Sequence, residues 1–145
     1  MINHRQFIVS GAVKGKARPR FRNYGKFVST YTTKEDVNYE NWVKQCYLEQ
    51  YREEKPLEGS LRCNIYISMS IPKSTSKKKM LEMFNRDIRP SKKPDCDNIA
   101  KSICDALNKI AYNDDSQIVE LLVVKTYGEI EQAKIVIESL EKEID

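Results

Sequence analysis

At 145 residues with 40% hydrophobic and 32% charged content, the chain has the length and composition of one folded domain, 1–145, rather than a disordered or fibrous segment. The net charge is only +4. The longest apolar runs fall far short of the roughly 18 residues a membrane span needs, and the N-terminus lacks a signal-peptide pattern, so a cytoplasmic protein with no membrane contact is expected.

The charge is unevenly spread. Residues 1–34 hold eight bases and no acid, residues 72–93 hold eight bases and two acids, and residues 114–145 hold nine acids and three bases. Two basic stretches and an acidic tail suit a polyanion-binding face with a neutralising back. Cys46, Cys63, Cys96 and Cys104 have no CxxC spacing and read as ordinary thiols rather than a zinc site or a disulfide frame.

In chain order, "RQFIVSGAV" (5–13) predicts a strand, and "KGKARPRFRNYG" (14–25) a basic loop broken by Gly15, Pro19 and Gly25. "KFVSTY" (26–31) predicts a short strand. Thr32 with Glu35 forms a capping box for a helix that runs to about Glu54. Tyr39, Trp42, Val43, Cys46 and Tyr47 fall at i, i+3, i+4, i+7 and i+8, a core-facing stripe. "LRCNIYISMSI" (61–71) alternates as a half-buried strand. A short capped helix over 74–85, a basic loop over 86–94, and a helix over 98–110 with Ile99, Ile103, Ala106, Leu107 and Ile110 inward follow. "QIVELLVVKTYG" (117–128) and "QAKIVIESL" (132–140) predict two strands paired as a hairpin. These elements make an α+β single domain, a mixed β-sheet with flanking helices.

Acids gather around the helix over 98–110. Asp95 and Asp97 precede it, Asp105 lies within it, and Asp114 and Asp115 follow it in "YNDDSQ". Each has an ordinary reading: Asp97 as a helix cap, Asp105 paired with Lys101 or Lys109, Asp114 and Asp115 as turn formers. In an extended segment, however, residues i and i+2 share a side, so Asp95 and Asp97 converge. The later pair reaches them if the next strand returns beside the helix. Crowded carboxylates repel, and a divalent cation removes the conflict. All-oxygen donors suit Mg²⁺ or Mn²⁺, and "DCDNIAK" lacks the glycine of an EF-hand loop. His4 is the single histidine, which argues against a histidine base or triad. Metal-held carboxylates beside basic loops suit phosphodiester chemistry, with Lys101, one turn beyond Asp97, placed to stabilise developing charge.

The segment "RPSKKPDCDNIAKSICDALNKIAYNDDSQIVELLVVK" (89–125) resembles the RusA family of Holliday-junction resolvases. The shared pattern is PDxDN, a lysine three residues after the Asn, DAL, an aromatic, DDSQ, and a hydrophobic strand ending in lysine. "GAVKGKARPRF" and "GKFVSTYTTKE" are similar to the family's N-terminal basic loop and strand. Cys96 departs from the pattern, standing where an aliphatic residue is expected, and reads as a buried small side chain.

The resemblance implies a RusA-like fold and a Mg²⁺-dependent endodeoxyribonuclease, with Mn²⁺ a possible substitute and no small-molecule cofactor. It implies a homodimer of bacterial or phage origin that resolves four-way DNA junctions by paired symmetric nicks in recombination and repair. The metal ligands carried over are Asp95, Asp97 and Asp115, with Lys101 catalytic and Asp105 and Asp114 supporting. Lys14, Lys16, Arg18, Arg20, Arg22, Lys77, Lys78, Lys79, Lys92 and Lys93 are the expected DNA contacts. Two other readings stay open: a nuclease on flaps or other branched DNA, and a non-catalytic DNA-binding relative.

Overall fold

The computed structural model describes residues 3–16, 20–24, 27–31 and 34–141. Thr32 and Arg18 lie outside them, as do the side chains of Arg20, Arg22 and Glu35, so the expected capping box and these three DNA contacts have no structural account. The elements are β1 (His4–Ser10), β2 (Arg20–Tyr24), β3 (Phe27–Tyr31), α1 (Lys34–Tyr51), β4 (Leu61–Ser70), α2 (Lys77–Phe84), α3 (Cys96–Ala106), β5 (Ile118–Gly128) and β6 (Gln132–Ser139). A short 3₁₀ turn, Asp115–Gln117, leads into β5. This is an α+β arrangement built on a mixed sheet, as expected.

Four strands form the main sheet in the order β1-β6-β4-β5. β4 runs parallel to β5 and antiparallel to β6, and β1 pairs antiparallel with β6. The expected β5–β6 hairpin is therefore corrected: β4 lies between those two strands. A parallel pair needs a long crossover, and residues 71–117, with α2 and α3, supply it for β4 and β5. The link between β5 and β6 then passes over the end of β4, where the Ser70 hydroxyl donates to Glu131 Oε1 at 2.7 Å. A second correction concerns the basic loop over 14–25, which contains β2, paired antiparallel with β3 in a separate two-stranded sheet. Breakers at Pro19 and Gly25 bracket a hairpin strand rather than a continuous loop.

One face of the main sheet carries the core. Leu61, Cys63, Ile65 and Ile67 of β4 are buried on the alternation expected of them, together with Phe7, Val9, Ala133, Ile135 and Ile137 from neighbouring strands. Tyr39, Val43, Cys46 and Tyr47 of α1 and Ile99, Ile103, Ala106 and Leu107 of α3 cover that face. Fully burying each large aliphatic or aromatic side chain contributes about 1.5–3 kcal/mol. Trp42 departs from the predicted stripe: it is exposed, and its indole N–H donates to Ser10 O at 2.8 Å.

α3 starts two residues before the expected Asn98 and stops at Ala106 rather than Ile110. Its end is set by Lys109, which takes a left-handed φ of 73° and donates its backbone N–H to Tyr112 O at 2.8 Å. The buried Tyr112 hydroxyl donates to Cys104 O at 2.6 Å, fastening the following turn beneath the helix.

Candidate active site

Because α3 buries one stripe, its opposite side is free to carry polar groups. Asp97, Lys101 and Asp105 succeed one another there at i, i+4 and i+8. Lys101 Nζ lies 3.5 Å from Asp105 Oδ2. The early start of α3 changes the reading of the first acidic pair. Asp95 occupies the N-cap position and Asp97 lies in the first helical turn, so the extended-chain alternation does not apply to them. Asp95 is exposed and makes no capping hydrogen bond. Cys96 is exposed rather than buried, which corrects that expectation.

The turn after α3 aims its two aspartates differently. Asp114 caps the 3₁₀ turn, accepting hydrogen bonds from the Ser116 backbone N–H and hydroxyl. These bonds hold its carboxyl below the usual carboxylate range. Asp115 is freed from capping. Its own backbone N–H donates to Asn108 Oδ1 at 2.9 Å, which ties the turn to the end of α3. Gln117 staples the turn from both ends of its amide. Its oxygen accepts from the Asn113 and Asp114 N–H groups at 2.9 and 3.0 Å, and its nitrogen donates to Leu57 O at 3.0 Å and Gly59 O at 3.1 Å. β5 then runs back against α3.

The result is an open cleft of about 300 Å³ lined by Asp97, Ala100, Lys101, Cys104, Asp115, Ile118 and Leu121. Partial burial pushes the Asp115 carboxyl up from its ordinary value, and the neighbouring charges of Asp114 and Asp105 push the same way, with Lys101 opposing. Of the acids expected to converge, Asp97 and Asp115 line the cleft, Asp105 stands beside them, and Asp95 and Asp114 do not line it. Among the described residues, no three acids, histidines or cysteines form a ready-made metal cage. Two carboxylates from separate elements do suit Mg²⁺, which is bound through one or two carboxylates with water and substrate phosphate completing its shell.

Several residues hold this geometry that periodicity does not reveal. Lys125 of β5 donates from Nζ to Lys92 O at 2.6 Å and Pro94 O at 3.0 Å, clamping the loop that feeds α3. Gly15 passes so close to that loop that a Cβ there would lie 2.9 Å from the Cβ atoms of both Pro94 and Asn98. The next backbone N–H, of Lys16, donates to Asn98 O at 2.9 Å. The only sequence signals for these roles are a lysine inside an apolar strand and a glycine in a basic loop. Lys16, expected at phosphate, has its ammonium 2.8 Å from both Asp105 Oδ2 and Glu40 Oε1. Burial lowers its pKa, but those two carboxylates more than offset this and raise it overall. Lys14, Lys77, Lys78, Lys79, Lys92 and Lys93 are all exposed. No helix among the described residues is long and apolar enough to cross a membrane.

The family model described as "Endodeoxyribonuclease RusA" matches residues 10–138, most of the chain. An uncharacterized protein, YqaN, of Bacillus subtilis (strain 168) is 33% identical over 137 residues, covering 91% of this chain and 94% of the relative.

Proposed function

The chain belongs to the RusA family of endodeoxyribonucleases, and from that premise we propose that it is a divalent-metal-dependent nuclease that resolves four-way DNA junctions as a homodimer, with one catalytic cleft per chain. The observation that carries this reading is the shared cleft of Asp97, Lys101 and Asp115, where partial burial and then the neighbouring acids raise the Asp115 carboxyl. A protein that only bound DNA would gain nothing from acids facing phosphate.

Asp97 and Asp115 would hold Mg²⁺, or Mn²⁺ in its place, and Asp95 at the exposed mouth of α3 would join through water or the DNA. The cation, when bound, supplies Lewis acidity and makes attack by water feasible at neutral pH. The chain's own groups divide the remaining work. Lys101, with its side chain 64% exposed, projects its ammonium toward the charge that develops on the phosphorus oxygens. Asp105 pairs with Lys16 at 2.8 Å and with Lys101 at 3.5 Å, which orients the Lys101 side chain along α3. Water adds to phosphorus and releases a proton to solvent as the bond to the departing sugar oxygen breaks, and solvent supplies the proton that oxygen takes up. A nick that can be rejoined needs a 5′-phosphate and a 3′-hydroxyl, so the 3′ oxygen leaves and takes up a proton. Lys14, the lysines of α2, Lys92 and Lys93 would contact the backbone of the arms.

Two matched cuts need two clefts, and the described residues of one chain form one such cleft. A two-fold dimer supplies the pair through a single self-complementary contact. Of the two apolar strands that might meet a partner, β4 is interior to the sheet, whereas β5 is an edge strand with Val119, Leu121 and Leu122 exposed. The test is incubation with a synthetic four-way junction, a flap and a plain duplex, with Mg²⁺ or EDTA, beside sedimentation of the free protein. Paired, symmetric, Mg²⁺-dependent nicks confined to the junction are expected, from a species of about twice the 16.9 kDa chain mass. Preferred cleavage of the flap would move the substrate to other branched DNA, and paired cuts by a monomer would sink the dimer.

A further inference from the structure

Helix α2 joins the sheet to the catalytic loop, and its two sides differ in kind. It packs against β5, with Met83 as its buried residue. Away from that contact, Lys77, Leu81 and Phe84 recur at i, i+4 and i+7, which places them on one stripe. Leu81 is 63% exposed and Phe84 43%. Lys77, Lys78 and Lys79 fill the first turn behind the Ser76 cap, with no acid among them. Across residues 73–93 the chain has eight bases against two acids.

Leu81 and Phe84, three residues apart on the helix, form an exposed apolar pair within a basic surround. A protein partner would suit that pair, but not the excess of like charge around it. Nucleic acid whose bases have lost their stacking neighbours offers both chemistries at once: phosphates for the lysines and flat apolar faces for Leu81 and Phe84. The location suits this. α2 lies on β5, the strand that starts beside Asp115, and its C-terminal loop is the one that Lys125 clamps on the way to Asp97.

We propose that the outer stripe of α2 is a base-docking face, on which Leu81 and Phe84 receive bases unstacked at the branch point while Lys77, Lys78 and Lys79 neutralise the adjoining phosphates. This rests on the reading that the substrate is branched DNA. It adds a contact to the bases themselves, apart from backbone charge and apart from the cleft.

The test is the double variant Leu81→Ala/Phe84→Ala. Both side chains are exposed and alanine favours helix, so the fold is retained. Two probes carry 2-aminopurine at an unpaired or junction base: the four-way junction, and a duplex with a short single-stranded bulge. Wild type should change the 2-aminopurine emission of both on binding. The double variant should lose that change and bind both about 10-fold more weakly, with affinity for plain duplex and the slope of log K against log salt unaltered. An emission change that persists in the double variant overturns the proposal. So does a shift from dimer to monomer in sedimentation, which would assign the stripe to a second copy of the chain. Should wild type make no paired cuts in the junction, the resolvase reading fails on that result alone, and the bulged duplex still decides whether α2 docks bases.

Discussion

Asp97→Asn and Asp115→Asn should each slow junction cleavage by at least about 10²-fold, with junction binding kept or tightened. Asparagine matches the size of aspartate and keeps one oxygen, but it is a far weaker ligand for a hard cation and carries no charge. Both side chains line the same cleft from different elements, α3 and the turn before β5. Loss of either would remove one of the two proposed metal carboxylates, whereas a DNA phosphate approaching the cleft would meet one fewer negative charge. Asp115→Asn should not lower stability. Its carboxyl is pushed up by partial burial and by Asp114 and Asp105, so its ionised form is disfavoured in the folded state at neutral pH. The unfolding temperature of that variant should equal or exceed that of wild type near neutrality. Gel-shift and cleavage assays on the same end-labelled junction separate binding from chemistry, and full cleavage by either variant removes that residue from the metal site.

Lys101→Met should be the next most damaging change, lowering kcat by about 10²-fold with little effect on junction affinity. Methionine keeps the length and apolar stem of lysine and removes the ammonium. The side chain is 64% exposed and its nearest acid, Asp105, lies at 3.5 Å, so the resting ion pair is worth only about 0–1 kcal/mol. A purely structural Lys101 would accordingly be replaced at almost no cost. A phosphate-binding Lys101 would instead show its loss in the salt dependence, where one contact contributes about 0.9 to the slope of log K. Single-turnover cleavage at saturating protein distinguishes the three: a slow step with an unchanged salt slope marks a group that acts on the transition state.

The parts of this fold that local pattern controls were legible from residues alone. The alternation in β4 and the inward stripe of α3 describe which side of each element faces the core, and that fixes the outward line of Asp97, Lys101 and Asp105. Sheet order was not legible. "YGEIE" carries turn residues suited to a hairpin, but whether β5 pairs with β6 depends on where the long crossover delivers β5, and it arrives on the far side of β4. The first turn of α3 is ambiguous for a similar reason: Asp97 has good capping chemistry, yet Asp95 takes the position. Lys16 shows the limit of reading charge without contacts. Its place in a basic run suggests phosphate, while Glu40 and Asp105, distant in sequence, already hold it. Asn108, Gln117 and Lys125 act through backbone groups, whose partners no side-chain pattern announces.

In the proposed reaction a divalent cation held by Asp97 and Asp115 would meet the scissile phosphate. Sulfur substitution at that phosphate tests it most directly. Once the cut position is mapped on a four-way junction, one non-bridging oxygen there is replaced by sulfur, and cleavage is followed in Mg²⁺ and in Mn²⁺. Mg²⁺ is a hard cation that favours oxygen, and Mn²⁺ tolerates sulfur better. One of the two sulfur isomers should be cleaved slowly in Mg²⁺, Mn²⁺ should restore its rate, and Mn²⁺ should give no such rescue to Asp97→Asn or Asp115→Asn. Equal slowing in both metals for both isomers, or cleavage indifferent to EDTA, would contradict the proposed reaction.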